Sequence, residues 1–380
     1  MSSTILLQHG RSFRKFQNPV RVVTAVSPQD VLPALVEVET AVRAENLYAA
    51  GFIAYEAAAA FGLAVHEPLG GLPLLWFGLF EGFAETLQLP IANGQSPTVG
   101  VWQPAISRAG YDAAIGQIKE HIAAGDTYQV NYTFPQHASF DGEPLAHFAQ
   151  LVAAQRASYA AYLDLGRFAI CSASPELFFT LDGSRLYSKP MKGTAVRGLT
   201  LAQDNANAAW LAHSEKNRAE NVMIVDMIRN DMGRVADVGS VRVPKLFEVE
   251  RYPTLLQMTS TVEAQTRAPL SQILANMFPC ASITGAPKVR TMQIIKELEP
   301  QPRGVYTGSI GFLAPDGSAQ FNVAIRTVLV DRERRQATYG VGSGIVWDSL
   351  AAGEYEECRV KSRVLTEKRP SFSLIETMLW

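Results

Sequence analysis

Residues 177–188 read Leu177-Phe178-Phe179-Thr180-Leu181-Asp182-Gly183-Ser184-Arg185-Leu186-Tyr187-Ser188. Two short runs of aromatic and aliphatic residues flank Asp182-Gly183. Asp-Gly accepts the positive φ of a tight type I′ turn, so residues 177–181 and 184–188 are expected to pair as a β-hairpin. The pattern recurs around Asp316-Gly317, with residues 306–313 as one arm and 319–330 as the other. Residues 127–134 read as a further strand. Helical periodicity fills the space between. Ile115, Ile118 and Ile122 share a face in residues 111–124, and Gly125 fits a C-terminal stop. Residues 215–232 form a long helix by their Val222/Val225 and Met223/Met227 pattern. Pro287 suits the first turn of a helix running to Leu298, and residues 353–364 form a last one. Hairpins mixed with long helices argue for an α+β fold with largely antiparallel sheets, not a doubly wound parallel one.

The chain has 380 residues, 47% hydrophobic and 18% charged. That admits one large or two intimate domains and supplies a large core with no signature of disorder. A formal charge of -2 offers no global field to nucleic acid or an anionic membrane. Cys171, Cys280 and Cys358 are far apart, which suggests a reducing cytoplasm and no zinc site. The N-terminal apolar run is too short for a signal peptide. Residues 47–65 carry Glu56 and two glycines, so a buried core segment is expected there, not a membrane span. Residues 93–108 are polar and turn-rich and mark the best internal boundary.

Several residues could carry chemistry. Glu220 lies three residues after Asn217, Glu354 and Glu357 are three apart, and Lys361 follows Glu357 by four; such spacings place side chains side by side on a helix. Two carboxylate faces brought together suit magnesium, which takes oxygen ligands and keeps several waters. The same spacing describes solvated helix faces with a Glu357–Lys361 pair. Lys192, in Lys189-Pro190-Met191-Lys192-Gly193-Thr194, sits on a rigid turn that presents one lysine. It is either a nucleophile, which desolvation would activate, or an ordinary loop lysine. Glu176, after Ser174-Pro175, is a general acid or base or a surface glutamate at a strand start. Arg326, read as mid-strand, needs a partner, either a ligand carboxylate or an internal salt bridge. Gly340-Val341-Gly342-Ser343-Gly344 lets backbone N–H groups approach an anion. It lacks the following helix and acidic residue of a dinucleotide fingerprint, so NAD is not inferred.

Taken together, these segments resemble the chorismate-utilising enzymes, the family of anthranilate synthase component I, aminodeoxychorismate synthase component I and the isochorismate and salicylate synthases. The resemblance runs from about Tyr111 to Leu365. It rests on GDTYQVNYT (125–133), SASPELF (172–178), KPMKGT (189–194), RAENVMIVDMIRNDMGRV (218–235), SITGAPKVRTMQII (282–295), YTGSIGF (306–312), NVAIRT (322–327) and GSGIVWDSLAAGEYEECRVK (342–361). GFIAYEAA (51–58) resembles the less specific N-terminal part of the family.

The resemblance implies a large sandwich of mainly antiparallel sheets flanked by helices, with the active site in a central cleft. Residues 1–100 would be a family-associated region packed into the same fold, and residues 101–380 the chorismate-binding catalytic domain. Glu220 and Glu357 would bind Mg2+ directly, with Glu354 assisting through water. Gln129, Thr194, Tyr306, Arg326, Gly342, Gly344 and Lys361 would line the chorismate site; a cation, an arginine, a lysine and backbone donors suit a dicarboxylate. Members that add water carry a lysine where this chain has Gln129.

Lys192 matches the aminodeoxychorismate synthase branch. There it would attack the ring, expel the C4 hydroxyl and form an adduct that ammonia displaces, with Glu176 as general acid/base. Anthranilate synthases, the alternative, typically have alanine at that position and histidine at the position of Gln257. Asn217 replaces a usual acid, which removes one charge from the metal shell. Tryptophan inhibition is not expected from the short N-terminal region. Ammonia would come from a separate glutamine amidotransferase subunit, and a separate lyase would complete 4-aminobenzoate formation for folate.

Overall fold

A computed structural model describes residues 3–365 except 69, 88, 90–96, 156, 253 and 254. The deciding hairpin is present: Leu177–Asp182 and Arg185–Lys189 pair antiparallel, with Asp182 opposite Arg185. Its loop is Gly183-Ser184, one residue later than the sequence suggests. Of the two, Gly183 has the positive φ, 58°. A positive φ at the first central position alone belongs to a II′ turn, not the expected I′.

Among the described residues the strands form two large sheets, and every pairing in them is antiparallel. The first runs Gly285–Ala286, Gln129–Asp141, Gln336–Ile345, Thr327–Asp331, Phe168–Ser174, Tyr159–Asp164, Thr4–His9, Ser12–Gln17, Ala84–Thr86. The second runs Met191–Val196, Leu255–Gln265, Arg185–Lys189, Leu177–Asp182, Ala319–Val323, Ser309–Leu313, Tyr48–Ile53, Leu75–Phe80, Arg21–Ala25. Strands from the first 90 residues thus extend both sheets. Residues 93–96 of the expected boundary lie outside the described residues.

The helices are α1 (Pro28–Glu45), α2 (Arg108–Ala123), α3 (Pro144–Gln155), α4 (Leu201–His213), α5 (Glu215–Gly233), α6 (Leu270–Met277), α7 (Lys288–Leu298) and α8 (Ala351–Ser362). Local chemistry sets their ends. Ser107 caps α2 through Gly110 N–H, and Thr200 caps α4 through Gln203 N–H. Gly125 follows α2 with φ 80°. Pro287 is the N-cap of α7, one residue outside the helix it was expected to open.

Packing gives four layers, because strand side chains alternate between faces. In Thr4–His9, Ile5 and Leu7 enter the core between the sheets, where they join Phe16, Phe52, Trp76, Phe80, Leu163 and Ile310. Leu6 points the other way, into the core shared with α2, α3 and α7. The second sheet buries its outer face under α1, α5 and α6 through Leu35, Ile224, Ile273, Phe77 and Phe321. Each of these large side chains contributes about 1.5–3 kcal/mol by leaving water.

The arm expected at 319–330 is not one strand. Ala319–Val323 belongs to the second sheet and Thr327–Asp331 to the first, and the chain crosses between them at residues 324–326. Arg326 adopts φ 51° at this crossing, so it stands at the seam of the sandwich and not mid-strand. The apolar run hides the break, because both flanking strands are buried and equally apolar.

A buried polar knot ties the N-terminal segment to this seam. Arg303 donates to both Glu299 oxygens at 2.9 and 2.7 Å, to Ile283 O at 2.9 Å and to Asn131 O at 2.8 Å. Its guanidinium lies 4.4 Å from the Tyr55 ring centroid. Glu299 also accepts from Thr133 N–H at 2.8 Å. Glu56 accepts from the backbone N–H groups of Arg303 and Gly304 at 2.7 and 3.0 Å. Thus Gln129–Asp141, the strand that presents Gln129, is fixed from behind.

Candidate active site

Glu176 lies just before Leu177–Asp182 and is 5% exposed. Its backbone is pinned: its N–H donates to Ser174 Oγ at 3.2 Å and its carbonyl accepts from Val323 N–H at 3.1 Å. Burial raises the carboxyl pKa. A hydrogen bond from Ser282 and the charges of Lys192, Arg326 and Lys361 oppose that rise without cancelling it. Three site residues from three separate segments therefore face one carboxyl. Its Oε1 is buried without a hydrogen-bond partner.

Lys192 comes from Met191–Val196, the strand at one edge of the second sheet. A Cβ built on Gly344 would lie 3.0 Å from Gln129 Nε2 and 3.7 Å from Lys192 Nζ. Absence of a side chain at 344 therefore opens the space these two groups share. Gln129 is 2% exposed, and its Nε2 is likewise buried without a partner. Two buried polar atoms left unmatched beside a lysine are what a ligand's oxygens would satisfy.

The other glycines of residues 340–344 serve close approach. A Cβ on Gly340 would meet the Tyr306 ring at 2.2 Å, and one on Gly342 would meet Tyr132 O at 2.3 Å. Tyr306 thus packs against the glycine strand, and burial raises its phenol pKa. Gly342 offers its carbonyl to Lys361 Nζ at 2.8 Å. Thr194 donates to Gln257 Oε1 at 3.0 Å. Arg326 Nη1 donates to Gln155 Oε1 at 2.7 Å, which makes a neutral side chain one of its partners; neither alternative expected from sequence named it.

The acids divide. Glu357 pairs with Lys361 at 2.7 Å, with about half of its side chain exposed. Its pKa is lowered: partial desolvation would raise it, but the ammonium groups of Lys361, Lys192 and Lys216 outweigh that. Lys216 also lies 4.0 Å from Glu220. One cation on α5 is therefore within the field of both carboxylates, Glu220 on its own helix and Glu357 on α8. Glu354 instead accepts from Ser349 Oγ at 2.7 Å. Among the described residues no three acidic, histidine or cysteine side chains converge as a ready-made metal cage. The oxygen-only donors of Glu220 and Glu357, already sharing a positive charge, fit a hard divalent cation that keeps most of its waters.

Sequence reasoning assigned no role to Gln155, Ser282 or Lys216. Ser282 lies within a segment that carries the family resemblance, and Lys216 is one turn before Glu220; those were the available signals. Gln155 gave none, since it is the last residue of α3 and reaches Arg326 only through the fold.

Known proteins place this architecture. Anthranilate synthase component I from Streptococcus pneumoniae has the same fold, with a TM-score of 0.81 at 24% identity over 97% of this chain and 92% of that one. The sequence pattern for chorismate binding enzymes matches residues 3–367, and the chain belongs to that family. Aminodeoxychorismate synthase component 1 of Escherichia coli K12 is 45% identical over 258 residues, 67% of this chain and 56% of that protein. Its Bacillus subtilis counterpart is 42% identical over 262 residues, 68% and 55%. Anthranilate synthase component 1 of Thermus thermophilus is 40% identical over 267 residues, 70% and 57%. The matched region spans little more than half the length of these relatives. No helix among the described residues is long and apolar enough to cross a membrane.

Proposed function

We propose that the chain is an aminodeoxychorismate synthase component, which replaces the C4 hydroxyl of chorismate with an amino group from ammonia. The observation that carries this reading is Lys192 Nζ beside Gln129 and Gly344, within the field of a buried Glu176. The names borne by relatives 42–45% identical favour it over anthranilate synthase.

The chemistry follows from the residues. Arg326 and Lys361 balance the two substrate carboxylates. Lys192, having released its ammonium proton to solvent, attacks as the neutral amine a ring carbon conjugated to C4. The ring double bond shifts and the C4–O bond breaks. Glu176, whose carboxyl burial biases toward the protonated form, gives its proton to the departing oxygen, which leaves as water. Ammonia then bonds to C4, the double bond returns, and the bond to Lys192 breaks. The Glu176 carboxylate takes the surplus proton. One difficult displacement becomes two easier ones. Glu220 and Glu357 would hold Mg2+, with Glu354 through water; the ion supplies charge for a substrate carboxylate when bound. A glutamine amidotransferase subunit supplies the ammonia, a separate lyase takes the product on toward 4-aminobenzoate, and the setting is cytoplasmic.

The test is incubation with chorismate, ammonium and Mg2+, with products resolved by mass and by coupling to an aminodeoxychorismate lyase. Conversion to 4-aminobenzoate only with the lyase supports the reading. Direct formation of fluorescent anthranilate overturns it.

A further inference from the structure

Residues 192–194 do not follow regular sheet geometry. Met191 is opposite Thr259 and Thr194 opposite Gln257, so the register shifts between them and Lys192-Gly193 forms a bulge. Gly193 has φ +84°, and a Cβ there would lie 2.9 Å from the Asn217 side chain. A bulge re-aims the side chain it carries, here Lys192. Something must hold it, since an irregular edge strand has several local alternatives.

Gln257 is the group placed to do so. It is 9% exposed, and both ends of its amide are engaged. Nε2 donates to Gly193 O at 2.8 Å and Oε1 accepts from Thr194 Oγ1 at 3.0 Å. The Asn217 side chain also lies against Gly193, where it leaves no room for a Cβ. Gln257 and Asn217 thus both lie against Gly193. Gln257 thereby turns its amide to the strand that bears the lysine.

We propose that Gln257 is the positioning residue of Lys192: its amide locks the bulge and so sets the reach of Nζ toward Gln129 and Gly344. The inference deepens the lysine-dependent reading above and rests on it for its catalytic consequence only.

Two arms test it in the full-length chain. In the first, kcat and KM for chorismate are measured at saturating ammonium for Gln257→Ala and Gln257→Glu. The alanine variant is expected to lose about tenfold or more in kcat, as misplacement of a reacting group does, with KM nearly unchanged. The glutamate variant keeps the acceptor for Thr194 but turns a carboxylate toward Gly193 O. Its kcat relative to wild type should rise as pH falls, because the protonated acid restores the donor; a merely structural side chain gives no such profile. In the second arm, Lys192 acetylation by acetic anhydride is followed by peptide mass spectrometry against exposed Lys245. It should rise severalfold in Gln257→Ala at a temperature well below the Tm of both proteins. Wild-type kcat and labelling in both variants would overturn the proposal, as would a loss confined to KM or one that tracks Tm alone. If the wild type does not aminate chorismate, the functional reading fails, and the labelling arm still decides whether Gln257 holds the lysine.

Discussion

Glu56 and Glu176 are both buried carboxyls, 2% and 5% exposed, and they do opposite things. The Glu56 oxygens each receive a backbone N–H, and the Arg303 guanidinium lies close by. Glu176 keeps one oxygen unmatched and lies within the field of Lys192, Arg326 and Lys361. A buried acid whose donors are all supplied by its own fold is a strut. One left partly unsatisfied costs stability and is retained where a ligand completes it. The contrast separates scaffold from site without reference to any relative.

The sharpest way to break the contrast is Lys192→Ala. Turnover of chorismate with ammonium should fall about a thousandfold or more, with Tm unchanged, because the side chain is not part of the core. Retained turnover would remove the lysine from the chemistry. Glu176→Gln comes next: kcat should drop by about 10²–10⁴ without loss of Tm, since the amide removes a carboxyl that burial disfavours in its charged form. A large fall in Tm would make Glu176 a strut like Glu56.

Glu56→Ala tests the other side. It leaves two buried N–H groups without an acceptor and should cost about 3 kcal/mol in chemical denaturation. The Glu56 carboxyl also gives a pH signature. Burial pushes its pKa from the ordinary 4.5 to about 7, against the pull of the Arg303 and Gly304 donors. Below pH 4.5 both folded and unfolded chains hold the proton. Between 4.5 and 7 the unfolded chain releases it first, so stability falls as pH rises and levels off above 7. The loss is about 3 kcal/mol, and Glu56→Gln should flatten it in the difference between the two proteins. A flat profile there, with stability falling only as pH drops below 4.5, would show that the acid is ionised throughout. Smallest is Gln155→Ala: Arg326 loses one hydrogen bond and chorismate KM should rise about fivefold. No change would mean that Arg326 is oriented by other contacts.

The sequence was legible where local chemistry and long-range packing agree. Asp182-Gly183 marked a true hairpin, and Ile115 and Ile118 do face the core from α2. It misled where one segment serves two sheets. Residues 319–330 look like one strand because both halves are apolar, and only the positive φ of Arg326 divides them. Leu75–Phe80 is buried at every position, so it shows no period-2 alternation to read. The strand expected to end at Phe134 runs to Asp141; Pro135 lies within it, pairs with Gly340 and accepts from Ala105 N–H. Within the site, Glu176, Lys192, Arg326 and Lys361 could be named from motifs. The supporting Gln155 and Ser282 could not, since their partners come from distant segments.

The pairing of Gln129–Asp141 with Gln336–Ile345 extends over ten residues and also sets the timetable of biosynthesis. Gln129 leaves the ribosome roughly 200 residues before Gly344, which at about 5–20 residues per second is some ten to forty seconds. During that interval the strand that presents Gln129 has no partner along most of one edge, and its apolar face is open to other chains. A nascent chain stalled between residues 326 and 336 therefore contains Glu176, Lys192, Glu220 and Arg326 but lacks the glycine strand, Glu357 and Lys361. Chaperone engagement should be heaviest on ribosome-bound chains of that length and should fall away once Gly344 has emerged.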